Sequence, residues 1–106
     1  MSNDDEGFWE AGSTLLQRDE VTRSTMMGLP CLRVRGKFFA AFDRATTDLL
    51  VKLPASRVEQ LIAAGEGSPV APAGRRFREW AAIPPESVDC WPDYLSEACA
   101  FVSESP

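Results

Sequence analysis

The sequence predicts an α+β domain: a single antiparallel β-sheet, a meander of about 4–5 strands, with helices packed on one face. Three observations lead to this fold class. Short stretches that alternate apolar and polar residues follow one another over residues 31–53. Only a few turn residues separate them, which favours antiparallel neighbours. Two stretches with apolar residues at helical spacing, 55–64 and 92–102, flank a further alternating stretch at 77–83.

Length and composition indicate one folded domain. The chain has 106 residues, of which 44% are hydrophobic and 25% charged, and this is too short for two separate cores. We expect a disordered acidic segment at residues 1–7 and one domain over residues 8–106. The N-terminal residues lack a signal-peptide pattern, and no apolar run approaches the roughly 20 residues of a membrane helix. A cytoplasmic protein without a membrane partner is therefore expected.

The elements before residue 31 have the weakest pattern. Phe8, Trp9, Leu15 and Leu16 have a loose helical spacing, interrupted by small and hydroxyl residues. This predicts a helix from about Ser13, with the Ser13 side chain as its N-cap. Residues 22–27 are expected to be a connector.

The central strands are better defined. Residues 31–35 alternate, with Leu32 and Val34 on one side, and Gly36 is the expected turn residue because glycine accepts a positive φ. Residues 37–42 form the next strand, in which alternation assigns Phe38, Ala40 and Phe42 to the core face. Residues 43–48 form a loop. Residues 49–53 form a third strand, with its leucines and valine inward and Lys52 outward.

The second half alternates between helix and strand. Pro54 ends the third strand, and a helix opens at residue 55 or 56, carries an apolar stripe and ends at Gly65. Residues 67–74 contain two prolines, which predicts a loop or an edge strand through Val70. Residues 77–83 form a further strand that carries Trp80. A closing helix begins at Pro92, a residue type suited to the first helical turn.

These segments in this order resemble a known family. The Gly-Leu-Pro at 28–30, the stretch Leu-Arg-Val-Arg-Gly-Lys-Phe-Phe-Ala at 32–40, the Leu-Val-Lys-Leu at 50–53 and the Trp80 strand are similar to MmcQ/YjbR-type small domains, sometimes grouped with TfoX N-terminal-like domains. The resemblance covers about residues 25–102. It implies a YjbR-like α+β domain and a DNA-binding role, which rests on paired hairpins that resemble a double-wing module. The acidic N-terminus and the loop at 68–76 depart from the family pattern.

The charge distribution permits an anion-binding surface. The net charge is −5, yet between Arg23 and Arg78 ten cationic residues stand against four acidic ones, a net charge of +6. Arginine and lysine contact phosphate well. The candidate nucleic-acid or anion-binding residues are Arg33, Arg35, Lys37, Lys52, Arg75, Arg76 and Arg78. The alternative is a solvated face whose arginines pair with Glu59, Glu79 or the acidic N-terminus.

The aromatic residues suggest a core more than a stacking platform. Phe38, Phe39, Phe42, Phe77 and Trp80 are expected to be buried in so small a domain. Phe39 and Trp80 are the expected exceptions, because both fall out of phase with the predicted core face.

No catalytic or metal-binding pattern is present in the sequence. It has no histidine, and Cys31, Cys90 and Cys99 are too far apart for a usual zinc site. We expect three reduced cysteines, of which Cys90 is the most exposed. The domain is predicted to be no enzyme and to need no cofactor.

Two functions remain open from the sequence. The first is a DNA-binding or regulatory module that contacts phosphates with little base specificity. The second is a protein-interaction or small-ligand module with no nucleic-acid role, which would use the sheet surface or a pocket beside it. A continuous positive patch that joins Arg33 and Arg35 to Arg76 and Arg78 would favour the first.

Overall fold

A computed structural model describes residues 5–26, 28–71 and 74–104 of the chain. It contains strands β1 (Val21–Met26), β2 (Leu29–Val34), β3 (Lys37–Asp43), β4 (Asp48–Lys52), β5 (Ser68–Val70) and β6 (Phe77–Ile83), and helices α1 (Glu6–Ala11), α2 (Ala55–Ala63) and α3 (Trp91–Ser103).

The six strands form one antiparallel sheet in the order β1-β2-β3-β4-β6-β5, and the helices pack against it. The predicted α+β fold class is therefore confirmed, with one strand more than the 4–5 expected. Most of the predicted disordered N-terminus falls on residues 1–4, which lie outside the described residues.

Short turns join the central strands and make them antiparallel neighbours. Arg35 and Gly36 join β2 to β3 with φ values of 53° and 79°, the two positive values that a tight hairpin turn requires. The predicted turn at Gly36 is confirmed. β4 follows a turn over residues 44–47, and its Leu49 and Val51 are buried, with Leu53 just beyond it. Lys52 points to the other face, as alternation predicts.

A β-bulge changes the predicted face of two phenylalanines. Leu32 pairs with Ala40, but Arg33 pairs with Phe38, so Phe39 is an extra residue between the two pairs. Phe39 is 0% exposed and lies in the core, whereas Phe38 is only partly buried. The assignment of Phe38 to the core face is wrong, and so is the expected exposure of Phe39. The bulge shifts the alternation by one position.

The N-terminal elements also differ from the prediction. The Ser13 hydroxyl donates a hydrogen bond of 2.8 Å to the Glu10 carbonyl, at the end of α1, so Ser13 does not begin a helix. Only a 3₁₀ turn, Leu15–Gln17, follows. The predicted connector is wrong for residues 22–26, because they belong to edge strand β1, whose β-branched residues pair with β2.

The helices bury one face of the sheet. α2 begins directly after Pro54 and is followed by Gly65 at a φ of 75°, and β6 and α3 also agree with the predicted segments. The Trp91 indole donates a hydrogen bond of 3.2 Å to the Pro84 carbonyl and so fixes the start of α3. The core between helices and sheet contains the following large, fully buried side chains: Phe8, Leu32, Val34, Phe39, Phe42, Leu49, Val51, Leu53, Val58, Leu61, Ile83 and Leu95.

Candidate nucleic-acid interface

The second face of the sheet carries no helix in the described part of the chain. On β2, Leu32 and Val34 enter the core, so Cys31 and Arg33 point to the other side. On β4, Leu50 and Lys52 also point away from the core, to this second face. We call this surface the open face; it carries Cys31, Arg33, Phe38, Ala41, Leu50, Lys52, Trp80 and Ala82. Cys31 and Ala41 are fully buried there.

Two pairs of a cationic and an aromatic side chain lie at one end of the open face, one across β2 and β3 and the other across β4 and β6. Arg33 pairs with Phe38 between β2 and β3, and Lys52 pairs with Trp80 between β4 and β6. The Arg33 guanidinium carbon lies 4.3 Å from the centroid of the Phe38 ring, which is a cation–π contact. Phe38, Lys52 and Trp80 are all half-buried. We call Arg33, Phe38, Lys52 and Trp80 the cation–aromatic row.

Arg33 is held in place more by stacking than by hydrogen bonds. Its Nε atom is buried and has no hydrogen-bond partner, and no other described side chain contains such an atom. An unpaired buried donor costs free energy, and the cation–π contact with Phe38 offsets part of this cost.

The other predicted cations lie at the same end of the sheet, because β2 and β4 end there while β3 and β6 begin there. Arg35 occupies the β2–β3 turn, with its Nε atom 3.3 Å from a Glu20 carboxylate oxygen. Lys37 opens β3 and is exposed. Arg75, Arg76 and Arg78 are exposed around the first residue of β6. The register thus brings all seven predicted residues to one end of the sheet, which we call the basic end.

Two carboxylates lie at the opposite end of the open face. Asp43 and Asp48 are partners across β3 and β4, the last and first residues of these strands. Asp43 accepts a hydrogen bond of 2.9 Å from the Ala45 backbone N–H. Neither carboxylate forms an ion pair within the described ranges. Nearby, Arg44 donates to the Gly28 carbonyl at 2.8 Å and lies 3.8 Å from the Asp5 carboxylate.

An apolar cavity of about 520 Å³ opens on the same face, between the end that carries Asp43 and Asp48 and strand β5. Leu50 and Ala82 form part of its lining, with the rings of Trp80 and Phe77 beside them. Phe77 is 42% exposed, so its expected burial is wrong. The pairing of β5 with β6 is irregular between Pro69 and Val70, and Val70 then pairs with Phe77 at the cavity. Trp80 is the expected exception, and its half-buried position confirms that prediction.

The cysteines have the predicted state. All three are free thiols; Cys31 and Cys99 are buried and Cys90 is exposed. Burial raises the pKa of the Cys31 thiol and outweighs the opposite effects of its hydrogen bond with Ser24 and the charge of Arg33. Burial likewise raises the pKa of Cys99. Both thiols therefore stay protonated near neutral pH and are poor nucleophiles.

The described ranges contain neither a cluster of metal-ligating residues nor a membrane-spanning helix. No group of three or more cysteines and carboxylates in these ranges has an arrangement that would hold a metal ion. None of the helices described has the length and apolar character needed to cross a membrane.

Sequence reasoning missed three residues of the open face. Phe38 was assigned to the core because alternation does not indicate a bulge. Asp43 and Asp48 were treated as the bounds of a loop, although a hairpin that closes at residues 43 and 48 would make them direct partners.

A scan against protein-family models, a search of curated proteins and a search of solved structures give no match to this chain. The resemblance to the MmcQ/YjbR-type domains therefore stays a prediction.

Proposed function

We infer that this domain is a non-enzymatic nucleic-acid-binding module that holds single-stranded segments against the basic end of its open face. The observation that carries this proposal is the cation–aromatic row, because it combines the two kinds of side chain that such segments contact. Aromatic rings stack on bases, and cations beside them contact the phosphates of the same strand.

The burial of the row supports stacking by Trp80 in particular. Its indole is half-buried, so one part of the side chain is fixed by neighbours while another part is open to a ligand. Lys52 lies opposite it on the adjacent strand. Directly opposite residues have Cβ atoms about 5 Å apart, which is within the reach of one nucleotide.

The surrounding charges support weak binding without base specificity. Arg75, Arg76 and Arg78 increase the positive potential at the basic end, whereas Glu20 neutralises Arg35. The net charge of −5 repels polyanions at longer range. We therefore expect an affinity in the micromolar range that decreases steeply with salt.

Fluorescence anisotropy with a labelled oligothymidylate of about 12 nucleotides tests the proposal. With about four phosphates neutralised, the slope of log K against log salt should be about −3 between about 20 and 200 mM NaCl. Trp80→Ala should weaken binding about tenfold, since a stacked base contributes about 1–3 kcal/mol. Lys52→Gln should weaken it severalfold and make the salt slope shallower.

Arg44→Gln is the matched control, because it removes one positive charge at the opposite end of the sheet. Its affinity for the oligonucleotide should equal that of the parent protein. Binding weaker than about 100 μM at the lowest salt would contradict the proposal. So would equal losses in Lys52→Gln and Arg44→Gln, since these would indicate only a response to net charge.

A further inference from the structure

The cavity on the open face is a second candidate site, which shares only Trp80 with the cation–aromatic row. Its volume of about 520 Å³ lies within the range of small-molecule pockets, and most of its lining is apolar. Leu50 and Ala82 offer a flat aliphatic surface, and Phe77 and Trp80 add two aromatic rings. Phe77 is one of two large hydrophobic side chains that are exposed in the described ranges. A ligand in the cavity would cover it.

The charged residues that line the cavity, among those described, are acidic. Among the described residues, the ionisable ones in its lining are Asp43 and Asp48, which lie directly opposite each other on adjacent strands. Like charges in this arrangement repel and destabilise the pair of strands. Arg44, the residue that follows Asp43, is already bound to the Gly28 carbonyl and the Asp5 carboxylate. A positive group placed between the two carboxylates would remove the repulsion.

We propose that this cavity binds a small organic cation, an ammonium group on an apolar body. The ammonium would lie at Asp43 and Asp48, and the body would lie on Leu50 and Ala82 beside Trp80. Aromatic rings attract cations and ammonium donates to carboxylates, so both parts of the lining favour the same ligand class. An organic anion would be repelled, and a neutral ligand would leave the two carboxylates without a counter-charge.

Three probes with the same phenylbutyl body and different head groups test this directly: 4-phenylbutylammonium, 4-phenylbutanol and 5-phenylpentanoate. Isothermal titration calorimetry on the full chain should give the tightest binding for the ammonium. The alcohol should bind about tenfold more weakly, which is the effect of one charge-assisted hydrogen bond, and the carboxylate more weakly still.

The substitutions Asp43→Asn and Asp48→Asn test whether these two carboxylates bind the ammonium group. Each should weaken ammonium binding about tenfold and leave alcohol binding unchanged. Glu59→Gln is the control, because it removes one negative charge from α2 on the other side of the sheet and should bind the ammonium like the parent. Both aspartate variants should be folded and at least as resistant to urea as the parent, since each relieves the repulsion.

Several results would overturn the proposal. One is equal affinity for all three probes, which would make the cavity a general apolar site. Another is no binding of the ammonium at about 10 mM, a concentration that detects even very weak ligands. A third is a dimer in sedimentation velocity that excludes the ammonium, because the open face would then be an interface between two copies of this chain. The proposal does not require nucleic-acid binding, so it stands or fails independently of the oligonucleotide titration.

Discussion

Replacement of Phe39 by alanine removes a ring that is 0% exposed and packs between the sheet and the helices. Such a change in a core costs about 3–5 kcal/mol, from lost burial and the cavity that remains. Phe38 is its neighbour and the matched comparison, because the same substitution there removes a half-buried ring on the open face that contacts the Arg33 guanidinium. Phe38→Ala should cost about 1 kcal/mol.

Urea unfolding followed by circular dichroism measures both values. The unfolding midpoint of Phe39→Ala should decrease far more than that of Phe38→Ala, with the slope m unchanged if the fold is kept. Domains of this size are stabilised by only about 5–15 kcal/mol, so Phe39→Ala can lie near the limit of folding. Phe39→Leu keeps most of the volume, and its smaller loss of about 1.5 kcal/mol or less is measurable in a folded protein.

The relative sizes of the two losses in unfolding free energy show whether the β-bulge is present. Simple alternation along β3 assigns Phe38 to the core, whereas the bulge assigns Phe39 to it. If Phe38→Ala destabilises the protein as much as Phe39→Ala or more, the bulge is absent and Phe38 is not on the open face. The cation–aromatic row would then lose one of its four members.

Two further predictions concern titration and reactivity. Burial and the 2.8 Å hydrogen bond that its hydroxyl donates to Glu66 raise the pKa of Tyr94 to about 12. Because the pKa in the folded state exceeds the ordinary value of 10.0, the stabilising contribution is complete below about pH 10 and lost as the pH rises through about 12; absorbance of this single tyrosine should show the late titration, and a midpoint near 10 would contradict it. Iodoacetamide should modify Cys90 alone in the native protein and all three cysteines in urea, as counted by mass spectrometry, since Cys31 and Cys99 are buried; rapid native labelling of a second cysteine would show that one of the buried sites opens.

The elements that the sequence predicts well are those with a strong local signal. β6 and α2 are bounded by proline or glycine and have clear periodicity, so their ends need no tertiary information. β1 is different, because its residues 22–25 are polar or hydroxyl-bearing and show no apolar alternation. It is a strand because β2 presents a free edge to it, and this condition exists only in the folded sheet.

The candidate sites depend on register, which the sequence specifies only in part. The seven cationic residues are visible in the chain, but their arrival at one end of the sheet depends on the insertion of β6 beside β4. That pairing joins segments separated by α2 and β5, and no short-range signal encodes it. The bulge at Phe39 is likewise a local shift whose position is fixed by how well each ring fills the core.

The two proposed sites share Trp80, so the binding of one ligand should affect the affinity for the other. The sizes of two opposite effects indicate whether the ligands compete. An ammonium at Asp43 and Asp48 would neutralise charges that repel a polyanion, but across a solvated surface this gain is at most about 1 kcal/mol and is screened by salt. A ligand body against the indole would remove a stacking surface for a base, a loss of about 1–3 kcal/mol. The loss of stacking free energy exceeds the electrostatic gain, so the two ligands should compete. By linkage, the oligonucleotide should lower the affinity for the ammonium by the same factor by which the ammonium lowers the affinity for the oligonucleotide. If both bind without competition, each uses a different part of the Trp80 side chain.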